Sequence, residues 1–199
     1  MMKTVKGPAV YLAQFMDNKP PFNTLDGLCK WAADLGYKGI QIPTWEKALI
    51  DLDKAGESKT YCDELKAKIE SYGLEITELA SHLQGQLVAV HPAYDTMFDN
   101  FAPDQYKNNP KKRTEWAVEQ LKSCARASRH LGLDVHGTFS GSLLWHTAHP
   151  WPQRPQGLVE MGFAELAKRW MPILNAFDEV GVLGISKYRY AHVPITSPT

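Results

Sequence analysis

The chain has 199 residues, 44% of them apolar and 22% charged, the composition of one folded domain rather than of a disordered or fibrous segment. Lys plus Arg and Asp plus Glu number 22 each, for a formal net charge of +0, so the overall basic footprint of a duplex-binding protein is missing and no nucleic acid partner is expected. Cys29, Cys62 and Cys124 form neither a CxxC pair nor a disulfide framework, which points to a reducing, cytoplasmic setting. The apolar run after the N-terminus, Ala9 to Met16, is interrupted by Gln14 and lacks a cleavage-like site. Neither a signal peptide nor a membrane span is expected.

A first strand is predicted over about Ala9 to Phe15. Thr24 then caps a helix to about Leu35, with Leu25, Leu28, Ala32 and Leu35 on one face. A second strand spans Gly39 to Pro43. After a loop from about Thr44 to Glu57, Ser58 or Thr60 caps a helix to about Tyr72, its Leu65 and Ile69 four apart. Strand three is Glu75 to Ser81. A long loop, Leu83 to Asn109, leads to Pro110, which suits the start of a helix reaching about Leu131. Strand four is Asp134 to Ser140, and the loop Gly141 to Gly157 precedes a helix from about Leu158 to Val180. Pro172 should break or kink that helix, because it removes one ladder bond and clashes with the preceding turn. A fifth strand begins near Val182.

The helix ends repeat. Gly36, Gly73, Gly132 and Gly181 each stand just past a helical pattern, and an apolar or aromatic residue follows each time. Strands alternating with helices of this length make βαβ units and a parallel sheet, an α/β fold. The helix-to-strand turns are short and the strand-to-helix loops long. Long loops in a compact domain are usually functional, so the C-terminal strand ends form the working face.

Polar and aromatic residues gather there: Gln41, Trp45 and Glu46 after strand two; Glu75, Glu78, His82 and Gln84 around strand three; then His91, Tyr94 and Asp95. Strand four carries His136 and leads to Ser140, Ser142, Trp145, His146, His149 and Trp151. Glu75 and Glu78 are three apart and should face opposite sides of a strand. Glu78 and His82 share parity and should project together; a rim carboxylate and a loop-capping imidazole are their structural alternatives. His146 and His149, without a carboxylate in register, read as loop-packing or substrate contacts rather than a metal pair. Trp45, Trp145 and Trp151 are either rim packing or flat walls for a sugar ring. Lys107, Lys111, Lys112 and Arg113 open a helix and read as a solvated charge run. No P-loop, GxGxxG, GxSxG or HExxH pattern occurs.

The stretches Gly36-Tyr37-Lys38-Gly39-Ile40-Gln41-Ile42-Pro43, Ala80-Ser81-His82-Leu83-Gln84-Gly85-Gln86 and Thr138-Phe139-Ser140-Gly141-Ser142-Leu143-Leu144-Trp145 resemble those of sugar phosphate isomerases/epimerases, the xylose isomerase-like TIM barrels. The segment Trp151-Pro152-Gln153-Arg154-Pro155 fits the same group. The resemblance spans about residues 9 to 182 and implies a (β/α)₈ barrel of which the first four to five βα units are present, followed by an atypical tail, residues 183–199. It implies metal-assisted aldose–ketose isomerisation or epimerisation of a sugar or cyclitol, with Mn, Mg, Co or Zn as the divalent ion. By this likeness His82, Trp145 and its neighbour His146 fall at substrate-contact positions. Glu78, by its parity with His82, and Trp45, as a flat wall, are read from the residues themselves as further substrate-binding candidates.

The resemblance also implies metal ligands on strands five to eight, the first a glutamate on strand five. Here no Asp or Glu follows Glu179, and Lys187 falls near that position. No metal ligand is therefore assigned, and turnover by this chain alone is not expected. The alternative is a non-catalytic sugar-binding or self-associating half-barrel, whose open strand edges favour a homo-oligomer. An endonuclease of the same barrel superfamily fits the neutral charge least.

Overall fold

The computed structural model describes residues 6–144, 147 and 155–186. Five strands, β1 (Ala9–Tyr11), β2 (Gly39–Pro43), β3 (Glu75–Ala80), β4 (Val135–Thr138) and β5 (Leu183–Ser186), lie side by side in chain order. Every neighbouring pair is parallel. An order that never reverses separates a barrel arc from a doubly wound sheet, where the strand order switches direction. The helices are α1 (Leu25–Asp34), α2 (Leu52–Glu57), α3 (Lys59–Glu70), α4 (His82–Gln86), α5 (Pro110–Leu131) and α6 (Leu158–Val180). Among the described residues no helix is long and apolar enough to cross a membrane.

Local chemistry sets the helix ends. Thr24 Oγ1 accepts from the Gly27 amide at 3.1 Å and starts α1. Ser58, not Thr60, caps α3, its Oγ accepting from the Tyr61 amide at 3.2 Å. Asn109 caps α5 through the Lys112 amide at 3.1 Å, with Pro110 in the first turn. Gly132 (φ 73°) and Gly181 (φ 69°) close α5 and α6 in the left-handed conformation. The helices pack on one side of the sheet, around Leu28, Ala32, Ile40, Ile42, Ile69, Leu79, Leu121, Ile173 and Phe177. Cys29, Cys62 and Cys124 are buried, unpaired thiols, and burial pushes them up to about 12, 11 and 12. They act as small apolar fillers.

Several expectations need correcting. Strand one ends at Tyr11, where the chain turns into a 3₁₀ turn, Leu12–Gln14, that buries Leu12; a short apolar run has no periodicity to separate the two conformations. The Thr44–Glu57 loop contains α2, capped by Asp51, and six residues are too few to show a helical stripe. The Leu83–Asn109 loop holds α4 and two 3₁₀ segments, Pro92–Phe101 and Asp104–Tyr106. It has a small core of its own, Leu87, Val90, Phe98 and Ala102 against Ala117 of α5. Pro172 does not break α6, which runs on through it. The buried neighbours Trp170 and Ile173 tie that turn to the core, so packing outweighs the lost ladder bond.

Arg113 is not part of a solvated run. It is 0% exposed, while Lys107, Lys111 and Lys112 are exposed as expected. Its Nη1 donates to Asp99 Oδ1 at 2.6 Å and to the Asp95 carbonyl at 2.7 Å, and its Nη2 to Asp95 Oδ1 at 2.6 Å. This buried ion cluster clamps the 3₁₀ segment Pro92–Phe101 onto α5.

Candidate functional site

The two faces of the sheet carry different chemistry. Val10, Ile40 and Leu79 are buried in the helix-side core. Tyr11, Gln41 and Glu78 occupy one row on the other face, Tyr11 registered with Gln41 and Gln41 with Glu78. A bulge creates the last pairing. Ile40 pairs with Ile76 but Gln41 pairs with Glu78, so Thr77 is skipped, its hydroxyl donating to the Ile40 carbonyl at 3.1 Å. The bulge also corrects the parity of Glu75 and Glu78. They register with Gly39 and Gln41, two apart on β2, and so share a face. Glu75 lies at the start of β3, away from the strand ends that form the site.

Gln41 Nε2 donates to Glu78 Oε1 at 2.7 Å. The next strand makes room for this pair. A Cβ on Gly137 would stand 3.0 Å from Gln41 Nε2 and 3.2 Å from Glu78 Oε2. Burial, with the Glu78 charge nearby, pushes the Tyr11 phenol well above its ordinary value. Tyr11 therefore stays protonated beside a carboxylate acceptor.

Strand parity does not carry to His82, because β3 ends at Ala80 and Ser81 (φ −115°, ψ 43°) turns the chain into α4. His82 is instead placed by packing. Its ring stacks on Phe139 with centroids 4.2 Å apart, and the rings of Tyr11 and Trp45 stand 5.5 and 6.3 Å away. Four aromatic rings from the ends of four strands thus form one box, and Tyr11 joins it to the Gln41–Glu78 pair. Gly85 lets α4 approach closely enough: an added Cβ would overlap the Phe139 carbonyl and the Thr138 hydroxyl. Gln84 Nε2 donates to Thr44 Oγ1 at 3.2 Å, which donates to the Ala80 carbonyl, tying the ends of β2 and β3 together.

The other candidates go elsewhere. Asp95 is committed to Arg113. His91 Nδ1 accepts from the Ala93 amide and caps a 3₁₀ segment. The Ser140 carbonyl accepts from Trp170 Nε1 at 2.9 Å. His136 registers with Leu79 on the helix side. Its Nε2 lies 2.7 Å from Ser81 Oγ and its Nδ1 3.3 Å from Ser128 Oγ. Burial, and secondarily the His82 charge, push it down to about 3. Trp145, His146, His149, Trp151 and Lys187 lie outside the described residues. Tyr11 fell inside the first strand expected from the sequence and Phe139 near the end of the fourth, and neither was singled out there as a site residue.

Among the described residues, no three His, Cys, Asp or Glu side chains converge to hold a metal ion. Glu78, one oxygen taken by an amide, and the stacked His82 are too few donors for a divalent cation. What the arrangement offers is a carboxylate acceptor, a neutral phenol and flat rings, the kind of lining that fits a small hydroxylated ring.

A profile of the xylose isomerase-like TIM barrel family matches residues 29–185. The chain belongs to that family. Solved members of the fold align over most of it. The 3-keto-D-glucoside 4-epimerase of E. coli superposes with a TM-score of 0.54 at 13% identity, over 86% of this chain and 54% of that one. A protein of Sinorhizobium meliloti 1021 does so at 0.54 and 15%, over 92% and 50%. A probable 3-DHS dehydratase of Bacillus anthracis gives 0.51 and 14%, over 91% and 52%. At such identities the likeness establishes the shared barrel architecture. The chain spans about half the length of these structures. No curated protein matches the sequence.

Proposed function

We propose that this xylose isomerase-like chain binds a small sugar or cyclitol at the C-terminal ends of its strands, as the first half of an isomerase or epimerase barrel. The observation that carries this reading is the Gln41–Glu78 pair joined through Tyr11 to the ring box around His82. Glu78, oriented by Gln41, accepts a hydrogen bond from a substrate hydroxyl. Tyr11 donates one. Trp45 presents a flat wall to the ring, and His82 contacts a further hydroxyl. Trp145 and His146, which follow β4 in the sequence, are proposed to complete the rim. The solved relative named as a 3-keto-D-glucoside epimerase shares the fold, and its named substrate belongs to the proposed class.

Reactions of this kind use a divalent ion, Mn, Mg, Co or Zn, to polarise a substrate carbonyl. The donors described above do not fit such an ion, so no proton-transfer step is assigned to them. The setting is proposed to be cytoplasmic.

Monosaccharides and cyclitols titrated against the chain, followed by tryptophan fluorescence, should show saturable binding. Glu78→Gln should weaken it about tenfold or more, the worth of a hydrogen bond to a charged group. Absence of saturation with every sugar would overturn the proposal. Ketose panels with Mn²⁺, Mg²⁺ or Co²⁺ should give no turnover; metal-dependent turnover would place the ligands in other residues or a partner. A second reading, a self-associating half-barrel, is favoured by the sheet edges: among the described residues β1 and β5 each pair with a single strand. Sedimentation at several concentrations separates the two.

A further inference from the structure

We infer that His136, on the helix side of the sheet, is a positioning residue that sets His82 in the site by holding Ser81. Ser81 is the single residue between the last position of β3 and the first of α4, so its orientation decides where His82 enters the ring box. Its backbone is fixed twice over. The Ser81 amide donates to the Gly137 carbonyl at 2.9 Å, and its own carbonyl accepts from the Gly85 amide at 2.9 Å and Thr138 Oγ1 at 3.0 Å.

The side chain is the informative part. A serine at the start of a helix ordinarily turns its oxygen back to accept from an amide of the first turn. Ser81 occupies that position and makes no such bond. Its hydroxyl is 2.7 Å from His136 Nε2 instead. His136 is held in turn by Ser128 Oγ of α5 at 3.3 Å and packs with its ring centroid 5.1 Å from that of Phe177 in α6. The helix layer thus reaches through the sheet to the residue before His82. Both Ser81 and His136 are 0% exposed, so water does not compete for the bond. Burial keeps His136 neutral at ordinary pH, and the link holds one state there.

The inference rests on the reading of His82 as a sugar contact, but its test does not. The aromatic proton resonances of His82 and their cross-peaks to Phe139 report the ring's position without any ligand. Ser81→Ala and His136→Leu should each shift the His82 resonances, weaken those cross-peaks and lower sugar affinity about threefold to tenfold, the range of one net hydrogen bond. His136→Gln, which keeps a polar group where Nε2 stood, should restore both readouts. If Ser81→Ala and His136→Leu lower thermal stability while the His82 resonances and cross-peaks stay in place, the link is only structural and the inference fails. Should His136→Leu not fold, Ser81→Ala decides alone. A wild-type chain that binds no sugar sinks the proposed function but leaves the ring readout intact.

Discussion

Lowering the pH from about 7 to about 5 should cost this protein roughly 2 kcal/mol of stability through one side chain, His136. In the unfolded chain its imidazole titrates near 6.5, and in the fold it is pushed down to about 3, chiefly by burial and secondarily by the His82 charge. The folded value lies below the unfolded one, so the unfolded chain takes up the proton first as the solution is acidified. The stability is complete above about 6.5, falls as the pH drops through the interval, and levels off near about 3. Each pH unit inside it costs about 1.4 kcal/mol, and the 1.5 units down to pH 5 give roughly 2 kcal/mol. That figure holds for any folded value well below 5. Urea unfolding followed by far-ultraviolet circular dichroism at several pH values would measure it, with His136→Gln as the reference protein. Carboxylates and the histidines remote from His136 contribute alike to both proteins and cancel, while the smaller coupling to His82 stays within the measured difference. The wild type should lose about 2 kcal/mol more than the variant. Parallel acid losses would refute a neutral, buried His136.

Three substitutions test the remaining geometry. Gly137→Ala places a methyl 3.0 Å from Gln41 Nε2 and 3.2 Å from Glu78 Oε2; sugar titration should show a severalfold weaker complex, with a melting temperature only slightly lowered. Gly85→Ala drives a methyl into the Phe139 carbonyl. It should destabilise by about 1–3 kcal/mol, as overpacking does, and loosen the His82–Phe139 stack in nuclear magnetic resonance spectra. Arg113→Met leaves Asp95 and Asp99 facing each other without a cation. A loss of about 3–5 kcal/mol is expected, with hydrogen exchange rising first in Pro92–Phe101, and uniform exchange across the chain would contradict the clamp.

What could be read from the sequence was what neighbours in the chain decide. Thr24, Pro110, Gly132 and Gly181 mark helix ends because such signals act within one turn. The parallel sheet followed from alternation of short strands with amphipathic helices, whereas its unreversed order was expected from the family resemblance alone. The site was legible only as a set of residue types at strand ends, because its geometry depends on register. One skipped residue, Thr77, moves Glu78 opposite Gln41, and one turn at Ser81 removes His82 from strand parity. Arg113 shows the same limit. Its neighbours Lys111 and Lys112 are exposed, and the carboxylates that bury it lie 18 and 14 residues away in a loop with no periodic signal.

The same geometry explains why binding is the better-supported half of the proposed function. On the inner face, Glu78 is the described carboxylate joined through Tyr11 to the ring box, and Gln41 already directs one of its oxygens. A hard divalent ion draws on several oxygen donors and usually more than one carboxylate. A single carboxylate beside a protonated phenol suits a neutral hydroxyl. The phenol can donate to the substrate while the carboxylate accepts from it. On β5, Ile185 registers with Gly137, which registers with Ala80, so that row adds no carboxylate from the described strands. Chemistry at a carbon centre therefore needs donors from beyond this row. The proposed recognition of a hydroxylated ring draws first on the residues that β1 to β4 bring together.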